Sequence, residues 1–347
     1  MSSPANEVTL WVDGQVHRGW ESVGVELNLD HLSGAFDLGL SATWLENAAS
    51  VPRLVKPGIA CKLAIDGVAV ITGAIDRVEA SYDANSHGLK VAGRDRAGDL
   101  VDCSAEVKEY QNQSLEAIMA ALAAPYGVKV IAQGDTGTAF ERFAVNPGDT
   151  VGACFDRLTR QRGVLAWSDG QGNVIVGRVA AGRPVASLVR GVNVLSASAV
   201  NDASQRFSRY VVKGNRESTD GLTAAEIAEI EATATDSGVS RNRTLILIPE
   251  TQGNTANLGE RAAWEARVRA GRGFTITAKT VGWYHAGGLY RPGQTVSFTD
   301  DWLGSSGDFL ISNVRFNKDM GGTVSTLTLC PPAAFDRLAE PEKGSAW

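Results

Sequence analysis

The residues able to do chemistry are few and far apart. Four histidines, His17, His31, His87 and His285, titrate near neutrality. A metal site would want two of them at i, i+4 on a helix or alternating on a strand, and no pair has that spacing or sits in an HExxH motif. His31 follows Asp30 and His285 follows Tyr284 in turn-rich segments, so surface or interface positions are expected. Cys61, Cys103, Cys154 and Cys330 form no CxxC and no zinc spacing, which reads as reduced, mostly buried thiols of a chain folded in a cytosol. Asp300 and Asp301 are adjacent, and neighbours on a strand point to opposite faces, so they make a poor acid–base dyad. Asp76, Asp95, Asp99 and Asp102 interleave with Arg77, Arg94 and Arg96, the pattern of a surface laced with salt bridges. No GxSxG elbow and no GxxxxGK[ST] or GxGxxG phosphate loop occurs. We therefore assign no catalytic, cofactor-binding or metal residue, expect no cofactor, and expect no enzyme.

The elements that would position such residues point to a scaffold. At 347 residues the chain exceeds the ~250–300 that one core usually supports, so two or three units are expected. Hydrophobic residues at 44% and charged residues at 21% are ordinary for a globular chain. The 38 glycines, about 11% against a usual ~7%, together with short Val/Ile/Thr-rich runs, indicate strands separated by many turns. A net charge of −6 disfavours a protein that grips nucleic acid through phosphate contacts. The longest apolar run, Ile118–Ala124, falls far short of the ~20 residues of a membrane helix. Met1–Glu7 has no basic and then apolar stretch, so no secretion signal is expected.

Two internal repeats organise the chain. Leu115, Ile118, Met119 and Leu122 form the apolar stripe of a helix that Ser114 can cap, and Gly127 precedes a strand. Thirty-six residues on, Val151, Cys154, Phe155 and Leu158 repeat the stripe, Asp149 or Thr150 can cap it, and Gly163 precedes the next strand. A hairpin of 163–167 and 173–179 about a turn at 168–172 follows. The second repeat is a β-meander. Pro57-Gly58, a strand to Ile65, a strand holding Ile75 and Val78, and a strand 89–93 are matched by Pro292-Gly293, a strand to Thr299, a strand holding Ile311 and Val314, and a strand 323–329.

The fold expected is mainly β with α+β parts: two related antiparallel β-barrel domains plus a small α/β module with two helix–strand units. The barrels are placed at 1–103 and 191–347 and the module at 104–190, with the strands near 191–213 assignable to either barrel. A helical, acidic insertion is expected at about 215–270. Its Thr219–Ser237 stretch carries Asp220, Glu226, Glu229, Glu231 and Asp236 without Lys or Arg, and Leu222–Ala232 is helix-prone. A second helix over about Leu258–Ala270 places Trp264 and Val268 on one face. Its Arg261, Arg267 and Arg269 suit a helix end, with partner binding as the alternative. Trp11, Trp20, Trp44 and Trp302 could anchor cores or interfaces.

The segments Val8–Gln15, Gly19–Val23, Val91–Ala105, Ala124–Val128, Arg162–Leu165 and Leu327–Phe335 run along nearly the whole chain. Through them the sequence resembles the baseplate hub proteins of Mu-like contractile-tailed phages, the tail protein P family, and more distantly other contractile-tail hubs and the hub region of type VI spike proteins. The stretch Gly93–Ala105 is the most specific carrier. The resemblance implies a homotrimer whose six β-barrels make a pseudo-sixfold ring between a hexameric tail tube and a trimeric central spike. The implied partners are the tail tube and central spike proteins, with the tape measure protein and baseplate wedge as further candidates. DNA would pass without specific binding, and no membrane insertion is implied. The implied location is the virion tail baseplate, assembled in the host cytoplasm, with the spike a separate polypeptide. From the charge of −6 the ring's lumen is expected to be mildly acidic. Two alternatives stay open: the hub of a phage-derived device such as a tail-like bacteriocin or type VI machine, and a β-rich carbohydrate-binding or hydrolytic protein.

Overall fold

Alternating side chains build the frame. In the strand Ser22–Asn28, Val23, Val25 and Leu27 are buried while Glu26 stays half-exposed, and in Ala35–Ser41, Phe36 and Leu38 are buried while Asp37 is exposed. The period of two sends one row to a core and the other to water. The computed structural model describes residues 6–41, 55–83, 87–213, 231–248 and 255–339.

The chain is mostly β, as expected. Thirteen strands join in one sheet whose path begins at Val194–Asn201 and ends at Gln15–His17. Between them lie a second-half run of Phe274–Val281, Gly322–Cys330 and Ser305–Asp319, then a first-half run of Ser22–Asn28, Ala35–Ser41, His87–Asp95, Val68–Tyr82, Ala60–Ile65 and Val8–Val12. The two halves meet where Ser22–Asn28 pairs antiparallel with Ser305–Asp319, from Val23 opposite Lys318 to Asn28 opposite Asn313. One hydrophobic core runs under both halves, from Leu10, Val25 and Ile71 to Trp283, Phe316 and Leu329.

The meander repeat is visible in hydrogen bonds. Strands of 6, 15 and 9 residues, Ala60–Ile65, Val68–Tyr82 and His87–Asp95, correspond to Thr295–Asp300, Ser305–Asp319 and Gly322–Cys330 with the same lengths. Each long strand bulges at the same place, between Ile75 and Arg77 in one and between Ile311 and Asn313 in the other. Gly58 and Gly293 have φ of +82° and +85°, and their N–H groups donate to the carbonyls of Ile75 and Ile311 at 2.7 and 2.8 Å. A positive φ at both places explains glycine after each proline.

Strand Val194–Asn201 pairs with Phe274–Val281 in the second half. Strand Arg209–Lys213 belongs to neither meander: it lies between Glu231–Thr235 and Thr244–Leu247 in a separate three-stranded sheet. Most of the acidic, helix-prone stretch 219–237 lies outside the described residues, and its described end is the strand Glu231–Thr235, so Glu231 and Ala232 are extended rather than helical.

The α/β module closes its own core, which begins at Ala97 in helix α1 (Ala97–Asp102) and runs to Val176. Helices α2 (Leu115–Ala123) and α3 (Val151–Arg162) bury the two apolar stripes read from the sequence. Ser114 and Thr150 cap them by accepting from the N–H groups of Ala117 and Ala153. Lys129–Gln133 pairs parallel with Asn173–Gly177, which pairs antiparallel with Leu165–Ser168. Helix α4 (Thr255–Arg272) packs Leu258 and Ala262 on Val212 of the separate sheet.

Candidate assembly surfaces

The structure scatters the titratable residues. His31 and His87 are exposed, His17 is partly buried, and His285 accepts from the N–H of Gly287 through Nδ1 at 3.0 Å. Cys61, Cys154 and Cys330 are buried and Cys103 is half-buried, all as free thiols. Burial pushes the Cys61 thiol up to about 12, a value that leaves it inert as a nucleophile at neutral pH. Asp300 is buried and accepts from the N–H groups of Trp302 and Leu303, whereas Asp301 is exposed and pairs with Arg190 at 2.7 Å. Among the described residues no group of three or more His, Cys, Asp or Glu could hold a metal ion, and no helix is long and apolar enough to cross a membrane.

One member of the Asp/Arg cluster departs from the surface reading. Arg94 does bridge Asp76 and Asp102, at 2.7 Å each, on the outside. Asp95 is only 3% exposed. It accepts from Ser33 Oγ at 2.9 Å, the N–H of Gly34 at 2.7 Å, the N–H of Ala97 at 3.0 Å and Ser168 Oγ. Burial pushes its carboxyl above the usual range, and these four donors oppose that rise, Ser168 most. Asp95 thus ties the first β-half, through Ser33 and Gly34, to the module, through Ala97 and Ser168. Arg94 and Arg96 alternate with it, so the strand's period of two was the signal that set Asp95 on the inner face.

The arginines of α4 are held within the chain. Arg261 and Arg269 both pair with Glu265, at 3.0 and 2.9 Å, and Arg267 pairs with Asp336. Of the tryptophans singled out, Trp20 is buried, Trp11 lies under Lys62, Trp302 is 80% exposed at a turn, and Trp44 lies outside the described residues.

Two kinds of surface remain. The first is the open, polar face of the long sheet. It carries Glu26, Asp37 and Glu79 beside Arg77, Lys90, Arg315 and Lys279, with Thr277, Thr326 and Asn317 between them. The chain's negative charge is not concentrated there. A shallow depression on this face is lined by Ser22, Asp37, Arg77, Lys90 and Ala92. At the junction of the halves, Arg315 binds Glu26 at 3.1 Å and Asp37 at 2.9 Å. The second kind is the unpaired strand edge. Val194–Asn201 ends the sheet, and Arg77–Tyr82 has a strand on one side only among the described residues. Neither surface brings together groups for acid–base or nucleophilic chemistry; both suit contact with another protein.

Comparison with known proteins supplies the context. Residues 7–95 match the model of the Mu phage baseplate assembly protein GpP-like N-terminal domain. Residues 97–178 match the second domain of baseplate hub protein gp44-like chains, and 254–338 match the GpP fourth domain. The chain is 33% identical over 343 residues to baseplate hub protein gp44 of Escherichia phage Mu, covering 95% of this chain and 89% of that one. The crystal structure of the prophage MuSo2 43 kDa tail protein from Shewanella oneidensis superposes with a TM-score of 0.85 at 31% identity, over 96% of this chain and 100% of that one. The tail protein from Neisseria meningitidis MC58 shares the fold, with a TM-score of 0.78 at 24% identity, over 95% and 97% of the two chains.

Proposed function

Because the chain belongs to the Mu-like phage baseplate hub family, a family of structural proteins of the virion tail and not of enzymes, we propose that it assembles as a homotrimeric ring joining the tail tube to the central spike. The observation that carries this reading is the duplicated meander. Each chain supplies two β-halves with matching strand lengths, bulges and proline–glycine entries, joined edge to edge by the Ser22–Asn28 ladder. Three chains then present six similar units, which is the simplest way to seat a threefold spike on a sixfold tube. The tape measure protein and baseplate wedge are further partners in this reading, and assembly takes place in the host cytoplasm.

The open polar face of the sheet is the wall we assign to a DNA channel. Acidic and basic side chains are mixed along it, three against four, and Ser, Thr and Asn separate them. Such a wall neither attracts nor strongly repels phosphate. In this reading the lumen wall is mixed in charge, where net charge alone led to the expectation of a mildly acidic one, because net charge says nothing of which face bears it.

Sedimentation of the purified chain over a concentration series tests the oligomer, and images of the particle count the units about its axis. The expected result is a mass-action trimer with six similar lobes. A strict monomer up to ~100 µM overturns a self-assembling trimer.

A further inference from the structure

We propose that the edge strand Thr244–Leu247 is a docking site for an extended segment of a partner protein, added antiparallel as a fourth strand and carrying carboxylates at its C-terminal end. The site lies in residues 179–253, between two stretches matched by the family models, and it does not depend on the ring reading above.

The separate three-stranded sheet has one dressed edge and one bare one. Arg209–Lys213 is its centre, and α4 lies over that strand and over the edge Glu231–Thr235. From the other edge, Thr244–Leu247, Leu247 reaches the core under α4. Among the described residues no further strand pairs with its outer side. Its ladder to Arg209–Lys213 is parallel, and the N–H of Arg209 donates to the carbonyl of Arg243 at 3.0 Å. Alternate residues bond to one neighbour in such a ladder, so Leu245 bonds inward, and the N–H and C=O groups of Thr244 and Ile246 point to the open side. Natural sheets blunt an edge of this kind with charge, proline, a bulge or a cover. The stretch Thr-Leu-Ile-Leu has no charge and no proline, and its ladder runs without a register shift. Instead it shows apolar surface: Ile246 is 56% exposed and Ile248, just beyond the strand, is 71% exposed.

The side chains around this edge set what fits it. Arg209 stands opposite Thr244 and Val211 opposite Ile246, so Arg209 and Ile246 share the face turned away from α4. Arg241, three residues before the strand, is exposed as well. Neither arginine has a carboxylate partner among the described residues, unlike Arg206, which Asp236 holds. From its N-terminal end the edge thus offers two uncompensated cations and then two exposed isoleucines. A segment of alternating aliphatic residues that ends in carboxylates complements both. Antiparallel pairing is the slightly more stable arrangement, and it sets the segment's C-terminal end beside Arg209 and Arg241. In strand addition, main-chain bonds give the affinity and side chains like these give the choice of partner. A second copy of this chain is the poorer occupant, because Thr244–Leu247 brings no carboxylate to the arginines.

The test titrates the purified full chain into the peptide Thr-Val-Thr-Val-Thr-Asp-Glu, labelled with fluorescein at its N-terminus, and into a counterpart ending in Lys-Lys, with fluorescence anisotropy as the readout. We expect the acidic peptide to bind at least about tenfold more tightly than the basic one. Ile246→Pro removes an outward N–H and Ile246→Lys places a charge on the exposed face, so circular dichroism should stay unchanged while each weakens binding at least ~tenfold. The variant R209E/R241E, which leaves the strand itself intact, should reverse the preference between the two peptides. No binding of the acidic peptide up to ~1 mM overturns the proposal. Equal binding of both peptides, or binding that neither the Ile246 variants nor R209E/R241E disturbs, also overturns it. A chain that sediments as a dimer, and as a monomer once Ile246→Lys is made, gives the edge to a second copy and overturns the partner segment.

Discussion

Arg315 reaches across the strand Ser22–Asn28 to hold Asp37 on the strand beyond it, at 2.9 Å, in the space that Gly24 leaves open. A Cβ on Gly24 would stand 2.4 Å from Asp37 Oδ1 and 2.8 Å from Arg315 Nη2. Glycine here serves a side-chain pair and not a turn. With Glu26 as its second partner, one guanidinium spans three strands where the two halves of the duplication meet.

The pair is half-exposed, 41% and 60%, so its worth is about 1 kcal/mol or less. Gly24→Ala displaces the flexible ends of two side chains and should cost no more than the pair it breaks. Asp37→Ala should cost the same, and the double variant should match the single ones because both remove one interaction. Urea unfolding of the three variants checks this; additive losses would mean that the new methyl group strains the backbone.

Gly73 is the contrasting case. A Cβ there would lie 2.0 Å from the carbonyl oxygen of Arg94 and 2.5 Å from the Cα of Asp95. Both are backbone atoms of the adjoining strand, which cannot swing aside. Gly73→Ala should cost several times as much as Gly24→Ala, ~3 kcal/mol, with the ladder between Val68–Tyr82 and His87–Asp95 spread. Thermal unfolding of the two alanine variants side by side gives the ranking, and equal losses would contradict it.

Asp95 clasps the module to the first β-half. Asp95→Ala removes the shared acceptor of four donors and should cost ~3 kcal/mol or more, since buried donors left unpaired lose their full hydration. The loss should be local first. Amide exchange should rise in Ala97–Asp102 and around Ser168–Gly170 before it rises in the Ser22–Asn28 ladder. Uniform exchange across the chain would mean that Asp95 supports the global fold and not this seam.

The duplication and the helix pair were legible because each is written locally. Stripes at i, i+3, i+4, i+7 and Pro-Gly pairs at strand entries need no knowledge of distant contacts, and Leu115–Leu122 and Gly58/Gly293 fall where those patterns put them. The joining ladder was not legible, because Val25 and Phe316 meet across nearly the whole chain and nothing in either strand names its partner. Asp95 was misassigned by reading composition where alternation was available. Trp283, wholly buried with Nε1 donating to the carbonyls of Asn317 and Val324, and Trp302, exposed beside Arg190, show that residue type alone does not separate a core anchor from a surface one.

The separate sheet behind α4 hangs on a partly buried ion pair whose effect on stability should depend on pH. Arg206 donates to both oxygens of Asp236 at 2.9 Å, and the N–H of Gly238 donates to the same carboxylate. The side chains are 16% and 9% exposed. The Arg206 hydrogen bonds hold the Asp236 carboxyl below its ordinary value of 3.8. A carboxyl with a depressed folded-state value stabilises the fold above its unfolded value, and that contribution is lost as pH falls through the folded one. The free-energy gap between the unmodified chain and Asp236→Asn should therefore be flat above about pH 5 and shrink steadily below about pH 4. At neutral pH the gap should be ~2 kcal/mol, because the variant leaves a partly buried guanidinium without its counter-charge. Denaturant unfolding of both chains between neutral and acid pH measures it. A gap that stays constant through the acid range would show that the carboxylate's charge contributes nothing and that only its hydrogen-bond geometry matters.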